Sequence, residues 1–176
     1  VTSRAAFIVG CPGVGKTTLV ENLLGPHPTQ GVGRWTVGRD VCALGPYPHG
    51  GGADALPFAR AVFGKAYAQL PLLASAVAIL DGTRFSAVDA QMLAEARVRL
   101  AAVVLRAAPA TIARRRGGRG SKPMDAVWLA QQVARAERLS DAIVQRGGRS
   151  VGVDAERPAH EVAREVRLLL GLRSSP

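Results

Sequence analysis

The chain is predicted to be an α/β protein: a five-stranded parallel sheet with helices on both faces. Apolar runs of strand length alternate with helical segments along the chain, a pattern that favours a parallel sheet covered on both sides. The alternation opens with a strand, a glycine-rich loop and a helix inside the first 24 residues. With 48% hydrophobic residues, no repeats and no interdomain linker, residues 1–176 read most simply as a single domain around one core.

The elements follow in order. Ala5-Ala6-Phe7-Ile8-Val9 is a buried strand, read over 5–10. A helix covers 16–24 and stops at Gly25-Pro26. A Gly/Pro-rich stretch leads to a second strand at 36–44, a turn-rich loop at 45–54 and a helix at 55–70. The third strand covers 74–80. Ser86-Ala87-Val88-Asp89 is a capping box, in which each end residue bonds the other's backbone N–H, and it opens a helix to about 97. Ala101 to Leu105 is the fourth strand. A helix starts near Pro109 and runs into the basic segment 114–122, and another covers 123–146. The fifth strand is 149–153. The last helix spans 158–170, with Pro158 in its first turn and Gly171 at its end.

The loop carries the most specific chemistry. Gly10-Cys11-Pro12-Gly13-Val14-Gly15-Lys16-Thr17 is a complete G-x-x-x-x-G-K-[ST] phosphate-binding loop. Its glycines let successive N–H groups point at phosphates, and the following helix presents its positive end to the same anion. Gly10, Gly13, Val14, Gly15, Lys16, Thr17 and Thr18 are therefore candidate nucleotide-binding residues. Lys16 reaches the β- and γ-phosphates, and the Thr17 hydroxyl is a ligand for Mg²⁺. The predicted architecture becomes a three-layer P-loop NTPase fold with ATP and Mg²⁺ as its cofactors. A GTPase is excluded, because Asn-Lys-x-Asp is missing and Asn22 is the only asparagine.

Charge points to a second anion. The net charge is +10, and residues 97–149 hold twelve Lys/Arg against three acids, so that segment carries +9 of it. A concentrated positive field suits a polyanionic partner. An Arg-rich genomic bias and the needs of the nucleotide are the competing explanations. Two distant cysteines and the lack of a signal or membrane-spanning segment place the expected location in the cytoplasm.

Three further constellations are expected around the loop. Asp81 ends the run Ala76 to Leu80, where an acid lies in the ligand crevice of an open sheet. It reads as the second metal-site residue beside Thr17, with a plain Asp-Gly turn as the alternative. Arg84 is three residues on and is a candidate for an acceptor phosphate or a solvated loop charge. The Arg-rich stretch within 113–123, with Arg115 and Arg119 four residues apart, reads as a lid that neutralises charge on a transferred phosphoryl group. In the 45–54 loop, Tyr47 offers a stacking face for a base. Asp54 accepts or orients an acceptor hydroxyl, or else caps the next helix. Asp40 is the second candidate for that acid. No His/Cys cluster supports a structural metal.

On these residues the chain resembles the P-loop kinases of nucleoside-monophosphate-kinase type. Within that group, Val41-Cys42-Ala43-Leu44-Gly45-Pro46-Tyr47 with Gly50-Gly51-Gly52-Ala53-Asp54 is similar to bacteriophage kinases that act on 5-hydroxymethyluracil in DNA. The resemblance implies γ-phosphoryl transfer from ATP to the hydroxymethyl group, with DNA containing that base as partner and the host-cell cytoplasm as location. It places Lys16, Thr17 and Mg²⁺ on the donor side, and Tyr47 and Asp54 near the acceptor. Two other readings remain open: a P-loop kinase for a free small molecule or nucleotide, and an ATP-dependent switch without an acceptor.

Overall fold

A computed structural model describes residues 4–48, 52–57, 60–73, 75–118, 120 and 125–172. Seven strands form one mixed sheet: β1 (Arg4–Val9), β2 (Thr29–Gln30), β3 (Trp35–Val37), β4 (Val41–Leu44), β5 (Val77–Asp81), β6 (Arg99–Arg106) and β7 (Arg149–Asp154). Their order is β2-β3-β4-β5-β1-β6-β7. β4, β5, β1, β6 and β7 are mutually parallel; β1, β5, β6 and β7 match strands expected from sequence, and β4 is the second half of the strand expected at 36–44. The sheet is larger than expected because β2 and β3 add an antiparallel edge.

The strand expected at 36–44 is in fact a hairpin. Gly38-Arg39-Asp40 turns the chain, so β3 and β4 pair with Thr36 opposite Ala43. Trp35 anchors the hairpin, fully buried and with its indole N–H donating to the Ala66 carbonyl at 3.1 Å.

Side-chain alternation along β1 divides the core. Ala5, Phe7 and Val9 face one side and Ala6 and Ile8 the other, as a strand period of two requires. The first face is covered by α2 (Arg60–Ala68), α3 (Ala87–Glu95) and α5 (Ala126–Gln145), through Phe63, Leu93, Leu139 and Ile143. The second is covered by α1 (Lys16–Leu24) and α6 (Ala159–Leu169), through Leu19, Leu23, Val162 and Val166. Phe85 packs edge-on to Phe7 at 5.5 Å. The expected helix at 55–70 is shorter: 3₁₀ turns at Gly52–Ala55 and Leu70–Leu72 flank α2. Pro57 and Pro71 lack the N–H that a continuous helix would need there. The capping box forms as expected, and Asp89 also accepts from the buried Tyr67 hydroxyl at 2.9 Å.

Three helices end in the same way at the amino edge of the sheet. After α3, Val98 N–H reaches Leu93 O and Arg97 N–H reaches Ala94 O. After α5 the same pair runs from Gly148 to Ile143 and from Gly147 to Val144, and after α6 from Leu172 to Arg167 and from Gly171 to Leu168. This Schellman arrangement needs a left-handed residue, normally glycine. Gly147 (φ 78) and Gly171 (φ 63) conform, but α3 uses Arg97 at φ 59. A side chain in that conformation costs about 1 kcal/mol.

Candidate active site

The parallel strands converge on a crevice at their carboxyl ends. The chain leaves β1 toward β4 and β5 on one side and returns to β6 on the other, and ligands bind at such a reversal. The phosphate-binding loop fills this point. Gly10, Gly13 and Gly15 take φ values of 144, 92 and 110, closed to most side chains. Crowding adds to this: a Cβ at Gly10 would lie 2.7 Å from the Leu105 carbonyl, and one at Gly13 2.7 Å from Arg116 Cγ. Val14 is buried and ties the loop to itself, its N–H donating to Cys11 O at 3.1 Å.

Lys16 is only 7% exposed, and its Nζ donates to the carbonyls of Gly10 (2.9 Å) and Cys11 (3.2 Å). Burial pushes its pKa below the ordinary lysine value, while Asp81 and Asp54 pull it back up. Asp81 is 3% exposed, and one oxygen, Oδ2, accepts from both Tyr47 OH (3.0 Å) and Thr17 Oγ1 (3.3 Å). Burial raises the Asp81 pKa to about 6; Lys16 and Tyr47 lower it, Asp54 raises it further and Thr17 lowers it. The Tyr47 hydroxyl is pushed well up by burial and by Asp81, so it stays protonated and donates.

Tyr47 therefore differs from its expected role. The residue is 9% exposed and packs in the core with residues of α1, so its ring offers no face to a base. It positions Asp81. The close approach of Gly52 explains its burial: a Cβ there would lie 2.3 Å from Tyr47 Oη and 3.2 Å from Asp81 Oδ2. Gly45 packs on the backbone of Gly52 in turn, so the two ends of the 45–54 loop are clamped together. Residues 49–51 of that loop lie outside the described residues.

Asp54 sits on the 3₁₀ turn that follows. Both carboxylate oxygens accept from Thr83 N–H at 3.0 and 3.1 Å, and both lie 3.3 Å from Thr83 Oγ1. The carboxylate rests on Gly82, where a Cβ would lie 2.9 Å from Asp54 Oδ1. Its side chain keeps 37% exposure, and its charge acts on both Lys16 and Asp81. Arg84 Nε is 3.9 Å from Asp54 Oδ1, and its NH1 donates to Leu56 O at 2.6 Å. Asp40 is not part of this group. It precedes β4, at the opposite end of the sheet, and is ion-paired to Arg167 at 2.6 Å.

The first part of the basic segment is helical. Arg114, Arg115 and Arg116 occupy the last turn of α4 (Pro109–Gly117), which fixes their directions. Arg115 donates to Val14 O and Ala155 O, each at 2.8 Å, and so bridges the phosphate loop and the end of β7. Arg116 lies 5.3 Å from the centre of the Trp128 ring, joining α4 to α5. Arg119 and 121–123 lie outside the described residues.

Sequence reasoning named Gly15, Thr18 and Arg115 but missed several groups beside them. Ala155 and Arg157 join those three residues in lining a cavity of about 210 Å³ beside the loop. On the other side, Gln132 and Arg135 of α5 border a notch with Gly10, Gly82 and Thr83. The Ala155–Arg157 turn carries a weak signal, since it follows a strand end as the phosphate loop does. Arg135 carries none, being one of the twelve basic residues of 97–149.

The donor set suits magnesium. Thr17 and Asp81 supply two adjacent hard oxygens, and no cluster of three metal-binding side chains occurs among the described residues. Mg²⁺ takes few protein ligands and leaves the rest to water and phosphate.

Fold and loop together define an α/β protein with a mixed seven-stranded sheet and a phosphate-binding loop at the carboxyl end of β1. Among solved structures, the chain is similar to an unliganded sugar kinase from Janibacter sp. HTCC2649 (16% identity, 97% of this chain and 95% of that one, TM-score 0.60). It is also similar to a gluconokinase from Sinorhizobium meliloti 1021 (19% identity, 96% and 92%, TM-score 0.53). No family model and no curated protein matches the sequence. At these identities the likeness defines the fold.

Proposed function

We propose that the protein is an ATP-dependent phosphotransferase acting on a hydroxyl of a small polyhydroxylated acceptor. The observation that carries this is the convergence of Lys16, Thr17, Asp81 and Asp54 on one crevice, with Asp54 alone among the acids partly open to it. The structural neighbours named for sugar and gluconate kinases support the class of acceptor.

The residues divide the work. Lys16 exchanges its two loop carbonyls for the β- and γ-phosphates. Thr17 and Asp81 would hold Mg²⁺, which neutralises phosphate charge when bound. Arg115 and the cavity it closes would receive the nucleoside of the donor. Asp54, held by Thr83, accepts the proton of the acceptor hydroxyl as its oxygen bonds the γ-phosphorus and the bond to the β-phosphate oxygen breaks. Arg84 and Arg135 flank the acceptor space with positive charge.

A second reading, transfer to the hydroxymethyl group of 5-hydroxymethyluracil in DNA, is supported by the net charge of +10 and the 41–54 sequence. Against it, Arg97, Arg99, Arg146 and Arg149 of the basic segment line the opposite end of the sheet and cannot hold DNA over Lys16. The deciding experiment offers γ-labelled ATP with a sugar acid, a neutral sugar, the free hydroxymethyl nucleoside, and DNA with and without the modified base. Label in a small polyol or sugar acid is expected. Label confined to modified DNA would transfer the assignment to the second reading, and ATP binding with no label anywhere would leave an ATP-driven switch.

A further inference from the structure

A second concentration of positive charge lies at the amino edge of the sheet. The cavity there has a volume of about 480 Å³ and is bordered by Arg4, Arg97, Arg99, Arg146 and Arg149. Among the described residues, no aspartate or glutamate lines it. The arginines come from separate segments brought together by strand pairing. Arg4 of β1 and Arg99 of β6 are direct neighbours in register, and Arg149 enters on the next strand, opposite Ala101. Two strand spacings span about 10 Å, so the cluster is compact.

Part of this charge is already used. Arg4 donates to Ala76 O and Leu170 O, Arg146 to Ala142 O and Arg149 to Leu169 O. The carboxyl ends of α3, α5 and α6 meet here, and their dipoles together amount to about −1.5 charges. Five guanidinium groups exceed that by more than three. Among the described residues, the Arg97 and Arg99 guanidinium groups have no hydrogen-bond or ion-pair partner. Arg97 also occupies the left-handed position that glycine fills after α5 and α6, so the fold carries a strained arginine where an unstrained residue would serve.

We propose that this cleft binds a compact polyphosphate anion, one with two or three linked phosphates, separately from the catalytic crevice. The six-residue β1 separates the two sites by about 20 Å. A chain of linked phosphates matches both the span and the concave shape, because each guanidinium offers paired donors to phosphate oxygens.

The test is a calorimetric titration of the full chain with inorganic triphosphate, the phosphate loop being saturated with Mg²⁺ and a non-hydrolysable ATP analogue. One triphosphate per chain is expected, with orthophosphate at least tenfold weaker. Arg97→Gly with Arg99→Ala should weaken triphosphate at least tenfold while phosphoryl transfer stays within twofold of wild type. Arg97→Gly alone should raise the unfolding temperature, which separates lost binding from lost structure. No binding, or unchanged binding in the double variant, would overturn the proposal. So would a single-stranded DNA that binds these arginines more tightly than triphosphate, because the cleft would then serve a nucleic-acid backbone.

Discussion

The two ends of the sheet handle positive charge in opposite ways. At the carboxyl end, cations are partnered inside the site. Lys16 is held by two carbonyls and faces Asp81 and Asp54, and Arg115 is fixed by Val14 O and Ala155 O. At the amino end, five arginines border a cavity, and among the described residues that cavity has no acid in its lining and two of the arginines lack partners. The difference teaches that the +9 of residues 97–149 is not one surface. A catalytic crevice needs charge that is held still, because preorganised groups stabilise developing charge without reorganising. A docking cleft needs charge that is left unsatisfied.

Substitutions at each end test this contrast. The largest expected effect is that of Lys16→Ala, which should lower phosphoryl transfer by about 10³-fold while leaving triphosphate binding at the amino edge intact. Steady-state rates and calorimetry on the same variant check both halves.

Asp81→Asn follows. With its folded pKa raised to about 6 from 3.8, the Asp81 carboxyl favours the folded state fully below pH 3.8, and that contribution is lost as pH rises through 6. The neutral amide should therefore stabilise the fold at pH 7 by about 3 kcal/mol and do nothing at pH 3.5, while transfer is lost. Denaturant melts of the two proteins at the two pH values give the comparison.

Gly52→Ala should cost about 2 kcal/mol, since Gly52 has φ 61 and its new methyl would strike Tyr47 Oη. It should also raise the acidic limb of the pH–rate profile, because Asp81 loses its Tyr47 donor. The smallest effect belongs to the other end: Arg97→Gly should gain about 1 kcal/mol in the same melts without changing the rate.

Local features of this architecture are legible in the sequence and tertiary ones are not. The phosphate loop, its flanking strand and helix, and the Ser86–Asp89 capping box lie within a few residues of one another, and the structure has them in place. The β3–β4 hairpin was hidden because its turn interrupts a run that reads as one strand. Tyr47 looked exposed in a Gly/Pro-rich loop, and only the fold of Gly52 over it makes it a buried partner of Asp81. Asp40 could not be separated from Asp54 without its pairing to Arg167, 127 residues away. The amino-edge cluster is assembled by three adjacent strands and two helix ends, a register that charge counting along the chain cannot reveal.

The most direct test of the account is Asp54→Asn, with ATP affinity and phosphoryl transfer measured on the same protein. Asp54 is assigned to the acceptor alone, so ATP affinity should stay within twofold of wild type while transfer falls about 10²-fold. Loss of ATP affinity, or transfer at the wild-type rate, would contradict the division of the crevice into a Lys16 donor side and an Asp54 acceptor side.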